Sequence, residues 1–387
     1  MDETIADRVR AIIGRVAPSQ AAFAEVIGIT GDKLSKSLGG ARRFTSLELA
    51  LIADTGGVTV DWLLAGRTPA RPAPAARTSA VPTPDGRELE DLAGRYTAAY
   101  DVLALLGRAP DLPPLPAAPG DGTPHEQGAA LAERALRALR EAGVPPLSGL
   151  DTGELIAAWA RVFGVDVAVT RLPGGMDGLS WHTDGFRLVV IATHPVWTRQ
   201  RFTLAHELAH VLAGDAQDLR AESGMAPGRA DDPDEIRANA FAAALLMPEE
   251  DVRARVSGPP GEDAFAGLVT RYRVSPSAMA ARLRALGLVD DACRGRLRRL
   301  TTADCHERAG TIGACMTQAA GSNTPLPPVR LVNGLFTAYQ AGESTLRPLA
   351  ALLDSDVDDV RILLAANGPE AEAETEPSED GEPVFTP

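Results

Sequence analysis

His206, Glu207 and His210 stand in the order His-Glu-Leu-Ala-His, and this spacing could do chemistry. On a helix, residues four apart lie on one face about one turn, or roughly 5 to 6 Å, from each other, so two imidazoles can converge on one ion. A carboxylate next to the first imidazole can reach a water on that ion without filling a coordination position. That is the division of labour in zinc peptidase sites. The same donors also accept manganese or iron.

The elements that must position these groups follow from the flanking pattern. The motif helix is apolar on its other faces through Leu204, Leu208, Val211 and Leu212, as expected of a helix with its polar face aimed into a cleft. A second helix reads from Asp234 to Leu246 and is ended by Met247-Pro248; Glu235 and Asn239 share one of its faces. Upstream, helices are expected near Ala129 to Ala142 and Asp151 to Phe163. Val165 to Thr170 alternates like a half-buried strand, and further strands are expected at Gly178 to His182 and Phe186 to Ala192, with Thr183-Asp184-Gly185 as the turn. A small sheet thus hands over to the motif helix in an α+β layout. Beyond Leu288, short helices are expected at Leu331 to Tyr339, Ser344 to Leu353 and Val357 to Ala366.

Taken together, Phe202 to His210, the run from Glu235 through Ala238-Asn239 to Met247-Pro248, Val274-Ser275-Pro276-Ser277-Ala278 and Arg282-Leu283 to Leu286-Gly287 resemble the ImmA/IrrE family of metallopeptidases over about residues 126 to 290. The resemblance implies a zincin-like domain that binds zinc through His206, His210 and Glu235, with Glu207 as catalytic base. Asp234 and Glu222 are the substitutes for the third ligand, and Asn239 is assigned to a supporting shell. Three protein ligands leave a coordination position open, as in catalytic zinc sites. An oxyanion donor is also needed, and His182, Arg199, Arg201 and Tyr272 are the candidates.

The first 67 residues carry a different pattern. Ile5 to Val16 is amphipathic, Ser19 can cap a helix to about Ile27, Thr30 another to Leu38, Thr45 begins a fourth and Thr59 a fifth ending at Gly66. This all-α arrangement, with Ser19-Gln20-Ala21-Ala22-Phe23-Ala24, Gly28-Ile29-Thr30, Leu34-Ser35-Lys36 and Gly39-Gly40, resembles the XRE (phage-repressor-like) helix-turn-helix family. In such domains the second helix of the motif enters the major groove and the flanks grip phosphate. The expected DNA contacts are Lys33, Ser35 and Lys36 on that helix, Arg42 and Arg43 after it, and Gln20, which resembles the family's phosphate-contacting glutamine. Retention of the fold for protein contact is the alternative.

Residues 68 to 125 read as a Pro/Ala-rich linker with one helix, Leu89 to Leu106, taken as a lone connector with dimerisation as the alternative. Residues 126 to 295 form the expected peptidase domain, 296 to 367 a small helical C-terminal region and 368 to 387 an acidic tail. Net charge is -14, and the tail carries Glu370, Glu372, Glu374, Glu376, Glu379, Asp380 and Glu382 against no Lys or Arg, which fits disorder there. An acidic chain does not coat nucleic acid over its whole surface. The three cysteines, Cys293, Cys305 and Cys315, suit a reduced compartment, and ordinary thiols are preferred to a second metal site made with His306. No run approaches the roughly 18 apolar residues of a membrane helix, and the acidic start lacks the order of a secretory signal, so the expected compartment is the cytoplasm. The expectation is a zinc endopeptidase coupled to a DNA-binding domain and cleaving an XRE-type repressor. The alternative is a regulator whose peptidase-like domain senses a ligand or metal without turnover.

Overall fold

In the computed structural model, residues 4–56, 58, 62–63, 84–215, 220–223 and 232–366 are described, and the chain divides into two units, Met1–Arg71 and Pro72–Pro387. The first unit holds α1 (Ile5–Val16), α2 (Gln20–Val26), α3 (Gly31–Leu38) and α4 (Ser46–Gly56). Thr4, Ser19 and Thr30 cap the first three helices through their hydroxyls, and Asp7 completes a capping box with Thr4. Gly28, at φ 70°, turns the chain between α2 and α3 in a conformation that L side chains rarely adopt. Val9, Ile12, Phe23, Leu34, Ile52 and Leu63 form the core. The fifth helix expected from Thr59 to Gly66 lies mostly outside the described residues.

The second unit is mostly helical around a small mixed sheet. Its strands β1 (Asp166–Thr170), β2 (Met176–His182), β3 (Arg187–Ala192) and β4 (Arg220–Ser223) lie in the order β1-β3-β2-β4. β1 runs parallel to β3, and β2 is antiparallel to both β3 and β4. The β2–β3 turn is closed by a hydrogen bond from the Thr183 amide to the Phe186 carbonyl at 2.9 Å. β4 was not anticipated, because it falls in the polar stretch between the two motif helices.

The expectation of a half-buried strand at Val165 to Thr170 needs correction, since both faces of the sheet are covered. Leu188-Val189-Val190-Ile191 is apolar without interruption, which a strand needs only when both faces are dry. Val167, Val169, Val189 and Ile191 join one core with α6 (Pro124–Glu141), α7 (Thr152–Phe163), α8 (Trp197–Ala213) and α9 (Pro233–Leu246). That core extends into α11 (Glu262–Tyr272) and α12 (Pro276–Ala285), which follow the short α10 (Glu249–Arg253). Ala168, Leu179, Trp181, Leu188 and Val190 form a second core with Leu89, Tyr96, Tyr100 and Leu103 of α5 (Pro84–Leu105).

That packing differs from the lone connector expected of the Leu89 to Leu106 helix. Tyr100 stacks on Phe186 with ring centroids 4.2 Å apart, and its hydroxyl donates to Asp166 Oδ2 at 2.8 Å. The C-terminal helices contribute to the same core. After α13 (Asp291–Leu297), α14 (Thr302–Arg308) and α15 (Ile312–Ser322), Leu331 and Leu335 of α16 (Val329–Gln340), Leu349 of α17 (Arg347–Leu352) and Val360 of α18 (Val357–Ala366) complete it. The amphipathic periodicity of these segments was legible, but the surface they cover is set by distant residues. Among the described residues, no helix is long and apolar enough to cross a membrane.

Candidate metal centre

The motif helix is held on nearly every side. Residues Leu204, Ala205, Leu208, Val211 and Leu212 of α8 are buried, and Gln200 ties its first turns to the Ala192 and Ser322 carbonyls at 2.9 and 2.7 Å. Gly214, at φ 83°, ends the helix, and the following Asp215 amide donates to the His210 carbonyl at 3.0 Å. α9 begins at its cap Asp232 with Pro233 in its first turn, which places Glu235 in that turn too. Its height is set by α6, where a Cβ at Gly128 would stand 2.3 Å from the Arg237 carbonyl oxygen. Only a helix as small-sided as the alanine-rich α9, facing a glycine, can come so close.

These contacts bring His206, His210 and Glu235 together, with one ligand atom of each within 4.8 Å of the others. His206 Nε2 lies 3.2 Å from His210 Nε2 and 3.4 Å from Glu235 Oε2, and His210 Nε2 lies 3.9 Å from Glu235 Oε1. A tetrahedral zinc with bonds of about 2.05 Å separates its ligand atoms by about 3.3 Å. The donor set and its spacing therefore fit zinc. All three side chains are largely buried, so an ion there would be shielded from bulk water.

A carboxylate stands behind one of the imidazoles. Asp215 Oδ2 is 3.3 Å from His210 Nδ1 and accepts from Arg237 Nη2 at 2.6 Å. An ionised carboxylate only accepts, so the His210 proton belongs on Nδ1 and the Nε2 lone pair is left for an ion. Burial pushes the Asp215 carboxyl up, but the hydrogen bonds from His210 and Arg237 and the guanidinium charge outweigh it, and its pKa is lowered. Arg237 also grips Asp234 at 2.7 Å, so Asp234 is engaged as an ion-pair partner. The side chain of Glu222 lies outside the described residues.

Glu207 is buried against β2. An ideal Cβ at Gly178 would lie 2.7 Å from Glu207 Oε1, 2.8 Å from Thr203 Cγ2 and 3.0 Å from Glu207 Cγ. Gly178 thus forms the wall against which the carboxylate rests. Sequence reasoning missed Gly178, Asp215 and Arg237. A Gly-Asp pair directly after the motif helix was the one local signal for Asp215.

The remaining candidates scatter. Asn239 is exposed one turn beyond Glu235, and among the described residues no side-chain hydrogen bond holds it. Arg201 Nη1 and Nη2 donate to the Leu150 and Leu147 carbonyls at 2.9 and 2.6 Å, and the Tyr272 hydroxyl donates to Asp251 at 2.7 Å, so these groups are engaged within the fold. Arg199 is exposed and paired with Asp177. His182, at the end of β2, has its pKa lowered by burial and by Arg187. Cys293 and Cys305 are buried free thiols, and burial pushes Cys305 up to about 11. His306 Nδ1 is 2.8 Å from Thr311 Oγ1, and among the described residues it joins no metal-ligating cluster with Cys305 and Cys315. A groove of about 920 Å³ between α5, Arg171 and α17 includes none of the motif residues.

In the first unit, Gln20, Lys33, Ser35, Lys36 and Arg43 are exposed, and Lys36 is paired with Asp32 at 2.7 Å. Gln20 and Ser35 line a cleft of about 330 Å³ with Arg10 and Gly39. Arg42 differs from these in being engaged by two side chains of its own unit. It is half-buried and donates to both Glu48 oxygens at 2.6 and 2.8 Å and to Ser37 at 2.9 Å, so its charge is spent inside the unit.

Comparison with known proteins places the site in a family context. Residues 160–284 match the family described as the IrrE N-terminal-like domain, a peptidase family. The radiation response metalloprotease IrrE of Deinococcus radiodurans is 38% identical over 153 residues, covering 38% of this chain and 44% of that protein. Its namesake from Deinococcus deserti is 32% identical over 164 residues, covering 41% of this chain and 55% of that protein. The chain spans about half the length of the curated relatives it matches. The region built around β1 to β3, α8 and α9 is therefore similar to the IrrE N-terminal-like peptidase domain.

Proposed function

We propose that this chain is a zinc-dependent endopeptidase coupled to an XRE-type helix-turn-helix domain, and that it cleaves an XRE-type repressor. His206, His210 and Glu235 would hold the ion, and Glu207 would be the base. The observation that carries this reading is the convergence of those three ligands beside a buried glutamate. Zinc, when bound, supplies Lewis acidity toward water and the scissile carbonyl. Glu207 takes a proton from the attacking water and passes it to the leaving amine, and Gly178 keeps its carboxylate in place. Asp215 holds the His210 ring and its tautomer.

On the first unit, Gln20, Lys33, Ser35, Lys36 and Arg43 are proposed to face DNA, with Arg42 bracing the turn that carries Arg43. The test incubates the purified chain, with zinc, manganese or iron and with Glu207→Gln, with the repressor encoded nearby. Cleavage by the parent and none by Glu207→Gln, at equal metal content, is expected. Metal uptake with intact repressor in every sample would overturn the peptidase reading in favour of a sensor.

A further inference from the structure

A group of unpaired polar atoms lies at the N-terminal end of α8. Trp197, Thr198 and Arg201 are its first, second and fifth residues, so they share one side of its opening turns. All three are more than nine-tenths buried, and so is His306 of α14. Trp197 Nε1, Thr198 Oγ1, Arg201 Nε, His306 Nε2 and Arg273 Nη1 are all buried without a hydrogen-bond partner among the described residues. The Trp197 and His306 rings are 5.8 Å apart, edge to face. Arg273 follows α11 and is close enough to both Arg201 and His306 for its charge to lower the pKa of each.

Ordinary structural roles account for only part of this. Two nitrogens of Arg201 are satisfied by the Leu147 and Leu150 carbonyls, but carbonyls do not cancel its charge. Asp151 and Glu154, the acids that favour its protonation, are engaged with each other in the cap of α7. No carboxylate lies within ion-pair distance of Arg201 or Arg273 among the described residues. Burial first, then the Arg273 charge, pushes Arg201 down to about 9. Arg273 itself sits at φ 55°, a conformation that costs a non-glycine residue roughly 1 to 2 kcal/mol. A buried unsatisfied donor costs about 1 to 3 kcal/mol, more when charged. Five unsatisfied groups together, with two guanidinium groups that have no carboxylate within ion-pair distance among the described residues, favour a partner that carries negative charge. The α8 N-terminus, which has no side-chain cap, adds its positive dipole end.

The geometry points to a small oxyanion, of the phosphate or sulfate class, bound among Trp197, Thr198, Arg201, Arg273 and His306. Trp197, Thr198 and the two arginines would each give it one hydrogen bond, His306 would add one from Nε2 once its ring is protonated beside the anion, and the anion's charge would offset both arginines. Bound there, it would fasten the first turns of the motif helix to α11 and α14.

The test is thermal unfolding of the full-length, zinc-loaded chain, titrated with inorganic phosphate or sulfate while sodium chloride holds the ionic strength constant. A saturable rise in Tm is expected. Arg273→Met should raise the half-saturating phosphate concentration at least about tenfold, since a charge-assisted hydrogen bond is removed. In oxyanion-free buffer the same change should raise Tm, because it removes repulsion from Arg201. His306→Gln, which keeps a donor but alters its reach, should weaken the response while leaving the fold intact. Absence of a saturable response, or equal responses from Arg273→Met and the parent, would overturn the site. So would a fall in Tm for Arg273→Met of equal size in both buffers.

Discussion

Replacing Gly178 with alanine tests whether β2 positions Glu207, the proposed base. The added Cβ would stand 2.7 Å from Glu207 Oε1, and also 2.8 Å from Thr203 Cγ2 on the preceding turn of α8. Ordinary contact begins near 3.4 Å, so the carboxylate, the strand or the helix must yield by about 0.7 Å. The helix is the least able to yield, because Leu204, Leu208, Val211 and Leu212 pack it on its other sides. The carboxylate is the softest element and should move. Misplacing a catalytic group by about 1 Å costs on the order of a hundredfold, so a loss of about 10- to 100-fold in kcat is expected, or roughly 1.4 to 2.7 kcal/mol in the barrier. The three atoms nearest the new methyl belong to Glu207 and Thr203 and not to His206, His210 or Glu235, so metal content should match the parent. The assay is single-turnover cleavage of the proposed repressor substrate at saturating enzyme, with zinc measured on the same preparation. Parent-like cleavage would refute the positioning role of Gly178. Loss of zinc along with activity would show that the strain spreads through α8, and would refute the claim that it stays at the base.

Asp215→Asn should weaken zinc binding about 10- to 100-fold, measured by competition with a chelator, because the His210 tautomer loses its anionic anchor. Glu48→Gln should destabilise the first unit by about 1.5 to 3 kcal/mol at neutral pH, read by thermal unfolding, as Arg42 loses a charged partner. Hydrogen bonding from Arg42 holds the Glu48 carboxyl below the usual range despite burial, so its stabilising effect is present above the unfolded carboxylate pKa. That effect disappears as pH falls through the folded value, and the parent and Glu48→Gln should converge there. Lys36→Ala and Arg43→Ala should weaken retardation of promoter DNA and each reduce the salt slope by about one, whereas Arg42→Ala should act through stability instead.

The motif helix and α9 were legible in the sequence because their signals are local. Four-residue spacing puts His206 and His210 on one face whatever surrounds them, and Pro233 and Met247 bracket the helix that bears Glu235. The caps Thr4, Ser19 and Thr30 gave the starts of the first three helices for the same reason. Gly178 and Asp215 were not legible as site residues. Their roles arise where β2 meets α8 and where Arg237 reaches across from α9, and no spacing within either segment encodes those meetings. Arg42 reads as a phosphate contact because a basic residue follows a recognition-type helix, while its pairing with Glu48 spans a turn and was not legible.

The second face of the sheet explains why the chain beyond the peptidase motifs is more than appendage. The matched segment, residues 160–284, contains β1, β2 and β3 but none of α5, α16 or α17. On their own those strands would leave Leu179, Trp181, Leu188 and Val190 facing water, and each large side chain returned to water costs about 1.5 to 3 kcal/mol. The same strands support α8 from the other side, with Gly178 against Glu207. Covering by α5 and the C-terminal helices therefore does more than stabilise the unit. It fixes the position of β2, and through β2 the distance between a glycine and a glutamate on which the proposed proton transfer depends.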